Sequence, residues 1–166
     1  MKRSLLAISA LLASLSALFM FTGLDDAALS LIALARTPLL TSFMRGVAFL
    51  GSVGFLFPFN LLMIWRQYPK KGRRALLLPL ATLSVWLLNH LMKLTVGRAR
   101  PAIGAIAIER TLSFPSGHAM VNSFFVMALA FRHYKKKKNK WIFLPSGLYI
   151  LLMCFNRLYL GVHYPS

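Results

Sequence analysis

The sequence predicts an all-α protein: a polytopic transmembrane helix bundle with five spans in this chain. Three observations predict it. Hydrophobic residues make up 58% of the 166 and mean hydropathy is +0.65, more apolar surface than a water-soluble domain of this length can hide. Five apolar stretches, residues 4–23, 46–65, 75–93, 117–134 and 141–161, approach the length of a spanning helix, which needs roughly 20 residues. The formal net charge of +17 is gathered into short blocks between those stretches, which is how topology is written into membrane proteins. A basic stripe following a nucleic-acid backbone would be spread differently, so nucleic acid is excluded as a partner.

The first stretch follows "MKR". It is longer than a signal-peptide core and no clean A-x-A site follows it, so it is expected to be a retained span. Next comes "DDAALSLIALARTPLLTSFMR", in which Asp25 or Asp26 can cap a short helix that stops before Pro38. That pattern suits a segment lying in the membrane interface, and an ordinary ordered loop fits it as well. The blocks "MKR", "RQYPKKGRR" and "RHYKKKKNK" hold thirteen of the twenty Lys and Arg and share one side if each stretch crosses once. The positive-inside rule makes that side cytoplasmic.

The opposite, extracytoplasmic side receives all three acids, Asp25, Asp26 and Glu109, together with Lys93, Arg98, Arg100, Arg110 and Arg157. These five cations break the charge bias, and an anionic ligand on the outer face is one reason they would. Residues 1–166 read as a single membrane domain. Five crossings leave the chain outside just after His163, so a sixth span is expected beyond Ser166. Cys154 lies within an apolar run and reads as a small core residue.

Three short stretches meet on the outer side. In "KLTVGRARP", Lys93 ends the third span, where a long side chain can reach the interface, and Arg100 precedes Pro101. In "FPSGHAM", Ser116 is a good N-cap and Gly117 permits close backbone approach. A helix N-terminus there, with unpaired N–H groups and partial positive charge, is a seat for phosphate, with His118 in its first turn. In "NRLYLGVHYPS", Arg157 lies at membrane depth, where ionisable groups are functional candidates, and His163 follows a glycine that can end the helix. Were a helix to restart at Pro165, residue 167 would share the face of His163. A carboxylate there could accept the Nδ1 proton and leave Nε2 free to attack.

The pattern Lys93…Arg100-Pro101, Pro115-Ser116-Gly117-His118, Arg157…His163 resembles the three-part signature of the type 2 phosphatidic-acid phosphatase superfamily, the lipid phosphatases related to vanadium haloperoxidases. The resemblance covers residues 93–163 in the family's order. Two departures stand out: Asn156 replaces the usual Ser before the third-motif Arg, and the family's Asp falls at position 167, one past Ser166. The chain is therefore expected to be truncated, with that Asp and a sixth span following.

The resemblance implies hydrolysis of a lipid phosphate ester or pyrophosphate: phosphatidylglycerol phosphate, undecaprenyl pyrophosphate or phosphatidic acid. It assigns the phosphate clamp to Lys93, Arg100, Arg157, Ser116 and the backbone at Gly117. His163 would be the nucleophile that forms a phosphohistidine, and His118 the acid and then base. No metal or other cofactor is implied, because the basic clamp replaces one. The composition agrees: three acids and one cysteine, expected to lie away from the histidines, cannot build a metal site. Asn89 and His90 share the face of Lys93 and read as supporting residues, and His133 lies in a cytoplasmic basic block. A vanadate-holding peroxidase site is disfavoured by the multi-span setting. The reading from another class is a non-catalytic lipid-phosphate binder or transporter, with the clamp intact and the nucleophile idle.

Overall fold

The computed structural model describes residues 11, 14–15, 18–102 and 104–166. Most of the first expected span, residues 4–23, lies outside these. The described residues are helical, with no strand among them. In chain order they form α1 (Leu24–Leu34), α2 (Pro38–Gly51), α3 (Val53–Lys71), a 3-10 turn (Gly72–Leu76), α4 (Leu77–Val96), α5 (Gly117–Lys137), a second 3-10 turn (Lys140–Ile142) and α6 (Phe143–Tyr159).

Caps explain the boundaries. Thr37 Oγ1 accepts from Leu40 N at 3.2 Å and Pro38 occupies the first turn, so the chain restarts as α2 after the stop at Leu34. The helix expected to end before Pro38 is α1, and α1 and α2 meet at 119°. Neither Asp25 nor Asp26 caps it. Gly23, at φ +72°, is the N-cap, and Asp25 is turned inward to an ion pair. The expected span 46–65 is also corrected. Ser52 accepts from Phe55 N at 3.3 Å and breaks the run, so Gly46 to Gly51 belong to α2 and the next helix continues to Lys71.

Two helical runs, Val53–Val96 and Lys140–Tyr159, are long and apolar enough to cross a membrane, and the bent pair α1–α2 would make a third. The first is 44 residues long, which at 1.5 Å per residue is about twice the ~30 Å hydrocarbon core. It folds back at Gly72–Leu76: Leu56 of α3 and Leu78 of α4 pack in one buried cluster with Val121 and Phe125 of α5. The outer faces are apolar, with Leu61, Leu80, Leu91, Leu148 and Leu151 each at least 50% exposed. Water would penalise such a surface, whereas lipid accepts it. The chain is an integral membrane protein.

Inside, amides tie the helices together. Asn122 on α5 donates to Gly51 O of α2 at 3.1 Å and accepts from Tyr149 of α6 at 3.1 Å. Asn156 on α6 donates to Met44 O of α2 at 2.6 Å. The bent pair is thus fastened to α5 and α6, the two helices that carry the histidine motifs.

Candidate active site

One end of the bundle holds a cavity of about 480 Å³. Its polar end is walled by Lys93 from α4, Arg100 and Glu109 from the loop between α4 and α5, Gly117 and His118 from the start of α5, and His163 after α6. Its other end is apolar, with Leu56 and Phe57 from α3 and Leu83 and Trp86 from α4. Five of the seven predicted site residues therefore line one space. Ser116 and Arg157 stand behind it.

Arg100 is the hub. Its Nε donates to Thr111 O at 2.5 Å and its Nη2 to Thr111 Oγ1 at 3.1 Å, which fixes the guanidinium plane. Its Nη1 donates to Val162 O at 2.6 Å and lies 3.2 Å from His163 Nε2. A guanidinium can only donate, so Nε2 presents its lone pair and the single ring proton of a neutral imidazole is on Nδ1. That proton has a partner, because the ring also hydrogen-bonds the Ser113 backbone. Burial first, then the positive charges of Arg100, Arg157 and Lys93, hold the His163 imidazole far below its usual pKa. The ring is neutral, with its Nε2 lone pair facing Arg100 at the polar end of the cavity.

The remaining residues are held by backbone. Lys93 is 7% exposed, and its ammonium donates to Leu112 O. Ser116 caps α5, its Oγ accepting from Ala119 N at 3.3 Å, and so is occupied as a cap, away from the cavity wall. Asn89 donates to Pro115 O at 3.2 Å and fastens the start of α5 to α4. A Cβ at Gly117 would lie 3.2 Å from Asn89 Oδ1, so any larger residue would have to push that side chain by a few tenths of an ångström. His90 stacks on Trp86 with centroids 5.8 Å apart. Both Asn89 and His90 also line the cavity.

Glu109 corrects an expectation. The acids were expected away from the histidines, yet Glu109 Oε1 accepts from Arg157 Nη2 at 2.5 Å and lies 4.0 Å from His118 Nδ1. Its other oxygen is 3.9 Å from Arg100. The carboxylate thus sits between Arg100 and Arg157 and lies on the cavity side of the buried Arg157. Arg157 Nε has no hydrogen-bond partner among the described residues. An orphaned buried donor is costly unless something arrives to use it. Among the described residues no three His, Cys, Asp or Glu group as a metal site.

Two residues outside the motifs hold the site's edges. Asp25 accepts from Arg98 at 2.7 Å, from Ser166 N at 3.1 Å and from Ser166 Oγ at 2.6 Å, while Arg98 lies over the Tyr164 ring at 4.3 Å. This ties α1 to the segment bearing His163. The His118 ring bonds the Ala48 backbone of α2, so the bent pair reaches the site itself.

The PAP2 superfamily model matches residues 74–166, more than half of the chain and all seven predicted site residues. The chain belongs to the PAP2 superfamily. It is 30% identical over 146 residues to phosphatidylglycerophosphatase B of Bacillus subtilis (strain 168), covering 84% of this chain and 72% of that protein. The crystal structure of a transmembrane PAP2 type phosphatidylglycerolphosphate phosphatase from Bacillus subtilis superposes with a TM-score of 0.84 at 29% identity, over 97% of this chain and 83% of that one. Aquifex aeolicus LpxE gives a TM-score of 0.66 at 28% identity, over 86% and 84%. The PAP2 assignment agrees with the resemblance carried by the three motifs, and it makes the chain a member of a lipid phosphatase family.

Gly161 is the joint between Arg157 and His163 in this PAP2 site. It has φ +70°, and a Cβ there would lie 2.7 Å from Gly104 O and 3.1 Å from Ala105 Cα. Backbone cannot yield as a side chain can. Gly161→Ala is expected to destabilise the fold by about 2 kcal/mol or more and to lower turnover by displacing His163. A thermal melt and kinetics in detergent check this; a melting point within about one degree of wild type would overturn it.

Proposed function

We propose that this protein is a metal-independent lipid phosphatase of the extracytoplasmic membrane face, acting through a phosphohistidine on His163. The observation that carries this is the pairing of a proton-free His163 Nε2 with Arg100 at the polar end of a cavity whose other end is apolar. Phe57 and Leu83 are at least half exposed at that apolar end, which favours an amphiphile entering from the bilayer. Phosphatidylglycerol phosphate is the substrate favoured by the Bacillus subtilis relatives, whose names carry that activity. Undecaprenyl pyrophosphate and phosphatidic acid fit the same chemistry.

In this mechanism Lys93 and Arg100 gather the phosphoryl oxygens with the N–H groups at the start of α5, and Arg157 joins them as the substrate displaces Glu109 from it. Fixed cations aimed at the charge of the transferring group are the largest expected contribution. His163 Nε2 forms an N–P bond as the P–O bond to the lipid breaks, and His118 protonates the leaving alkoxide. Water then attacks phosphorus, giving a proton to His118, and the N–P bond breaks to free phosphate. Glu109 Oε1 lies 4.0 Å from His118 Nδ1 and can orient the ring toward the leaving oxygen. Three cations around the phosphate seat disfavour a metal ion there, and the two histidines supply the nucleophile and proton transfer.

The test is phosphate release from phosphatidylglycerol phosphate and undecaprenyl pyrophosphate in detergent, with excess EDTA. Release that survives chelation is the expected result. Saturable lipid binding without release would give the binder or transporter reading instead.

A further inference from the structure

A second cavity, of about 390 Å³, abuts the first. The two share His90, Lys93, Arg100, Glu109 and Thr111 as a common wall. On the far side the second cavity adds Leu94, Ala99, Arg110 and Leu112, so Arg110 is the cation that belongs to it alone.

Charge accounting among the cations around the two cavities isolates Arg110. Arg98 is neutralised by Asp25, and Arg157 is paired with Glu109. Lys93 and Arg100 are tied to backbone carbonyls and keep their charge. Lys93, Arg100 and Arg157 against Glu109 leave two net positive charges at the phosphate seat, which balances one phosphomonoester dianion. Arg110 is exposed and has no hydrogen bond or ion pair among the described residues. It is therefore a cation in excess of what a single phosphoryl group requires, one wall away from that group.

We propose that this cavity is a second anion subsite, with Arg110 as its own cation, which takes a second phosphoryl group of the same lipid. The inference rests on the phosphatase reading and narrows its substrate to lipids bearing two phosphoryl groups. The second group can be the inner phosphoryl of a diphosphate, which departs with the lipid, or the phosphodiester of a glycerophospholipid. Both carry the negative charge that Arg110 matches, and Arg binds such oxygens through a two-pronged fork. A lipid with a lone phosphomonoester fills the first seat and leaves Arg110 unused.

The experiment compares wild type and Arg110→Gln on three lipids with one acyl composition: phosphatidic acid, phosphatidylglycerol phosphate and diacylglycerol pyrophosphate. The reading is each two-phosphoryl lipid's kcat/KM divided by that for phosphatidic acid. Arg110→Gln is expected to lower that ratio by about fivefold to tenfold, the scale of one partly exposed charge-assisted contact. A fall confined to the glycerophospholipid assigns the subsite to a phosphodiester, and one confined to the pyrophosphate assigns it to a diphosphate. Ratios unchanged by the substitution, with all three lipids still hydrolysed, overturn the subsite and leave the phosphatase standing. No release from any lipid by the wild type overturns both.

Discussion

His163→Ala is expected to abolish phosphate release, by about 10⁴-fold or more, while the helical bundle stays folded in detergent. The ring lies beyond the end of α6, 6% exposed, and its contacts are the Ser113 backbone and Arg100. Arg100 keeps its bonds to Thr111 and Val162 when the ring is gone, so no buried cation is stranded. Circular dichroism should be unchanged and the melting point little moved. Phosphate release near the wild-type rate would overturn the nucleophile assignment.

The same residue sets an expectation for pH. Burial and three nearby cations hold the His163 pKa below the ordinary value, which is about 6.5. The folded ring therefore refuses a proton that the unfolded chain accepts. Its contribution to stability is intact above pH ~6.5 and is lost progressively as pH falls below that value. The nucleophile stays unprotonated over the same range. Loss of kcat/KM between about pH 7 and 5 is therefore not expected from His163, and His118, which must be protonated in the first step, would set an alkaline limb that mutating it removes.

The sequence was most legible where a residue acts through its neighbours in the chain. Ser116 caps α5, Gly97 closes α4 at φ +66°, and the apolar runs became helices because period and length act locally. The three motifs were found because each keeps its spacing along one helix end or turn. Glu109 was missed because its partners are 48 residues away at Arg157 and 9 away at His118. Only the folded loop shows that this acid enters the seat. One signal was available, since Glu109 is the one acid between Lys93 and His163 and had cations on both sides to pair with. The Ser113 and Ala48 backbone contacts could not be read at all, since any residue supplies a carbonyl. The break at Ser52 was readable, as a serine after glycine within an apolar run is an N-cap signal.

Arg157→Ala is expected to cost both stability and activity, for separable reasons. The guanidinium is 2% exposed and pairs with a carboxylate whose side chain is 26% exposed. Removing one member of a buried pair strands the other; with Glu109 partly wet, a loss of about 2–3 kcal/mol is expected, below the full penalty of a dry pair. Activity should fall by about 10³-fold, because a clamp cation is lost and the released carboxylate repels the incoming phosphoryl group. The double variant Arg157→Ala/Glu109→Ala separates these effects. It removes the stranded charge, so the melting point should recover most of its loss while turnover stays low. Arg157→Lys keeps the charge but loses the fork that reaches Glu109 and leaves Nε free, and it should fall between wild type and alanine. If the double variant regained wild-type turnover, Arg157 would be a counter-ion for Glu109 alone, and the clamp would reduce to Lys93 and Arg100.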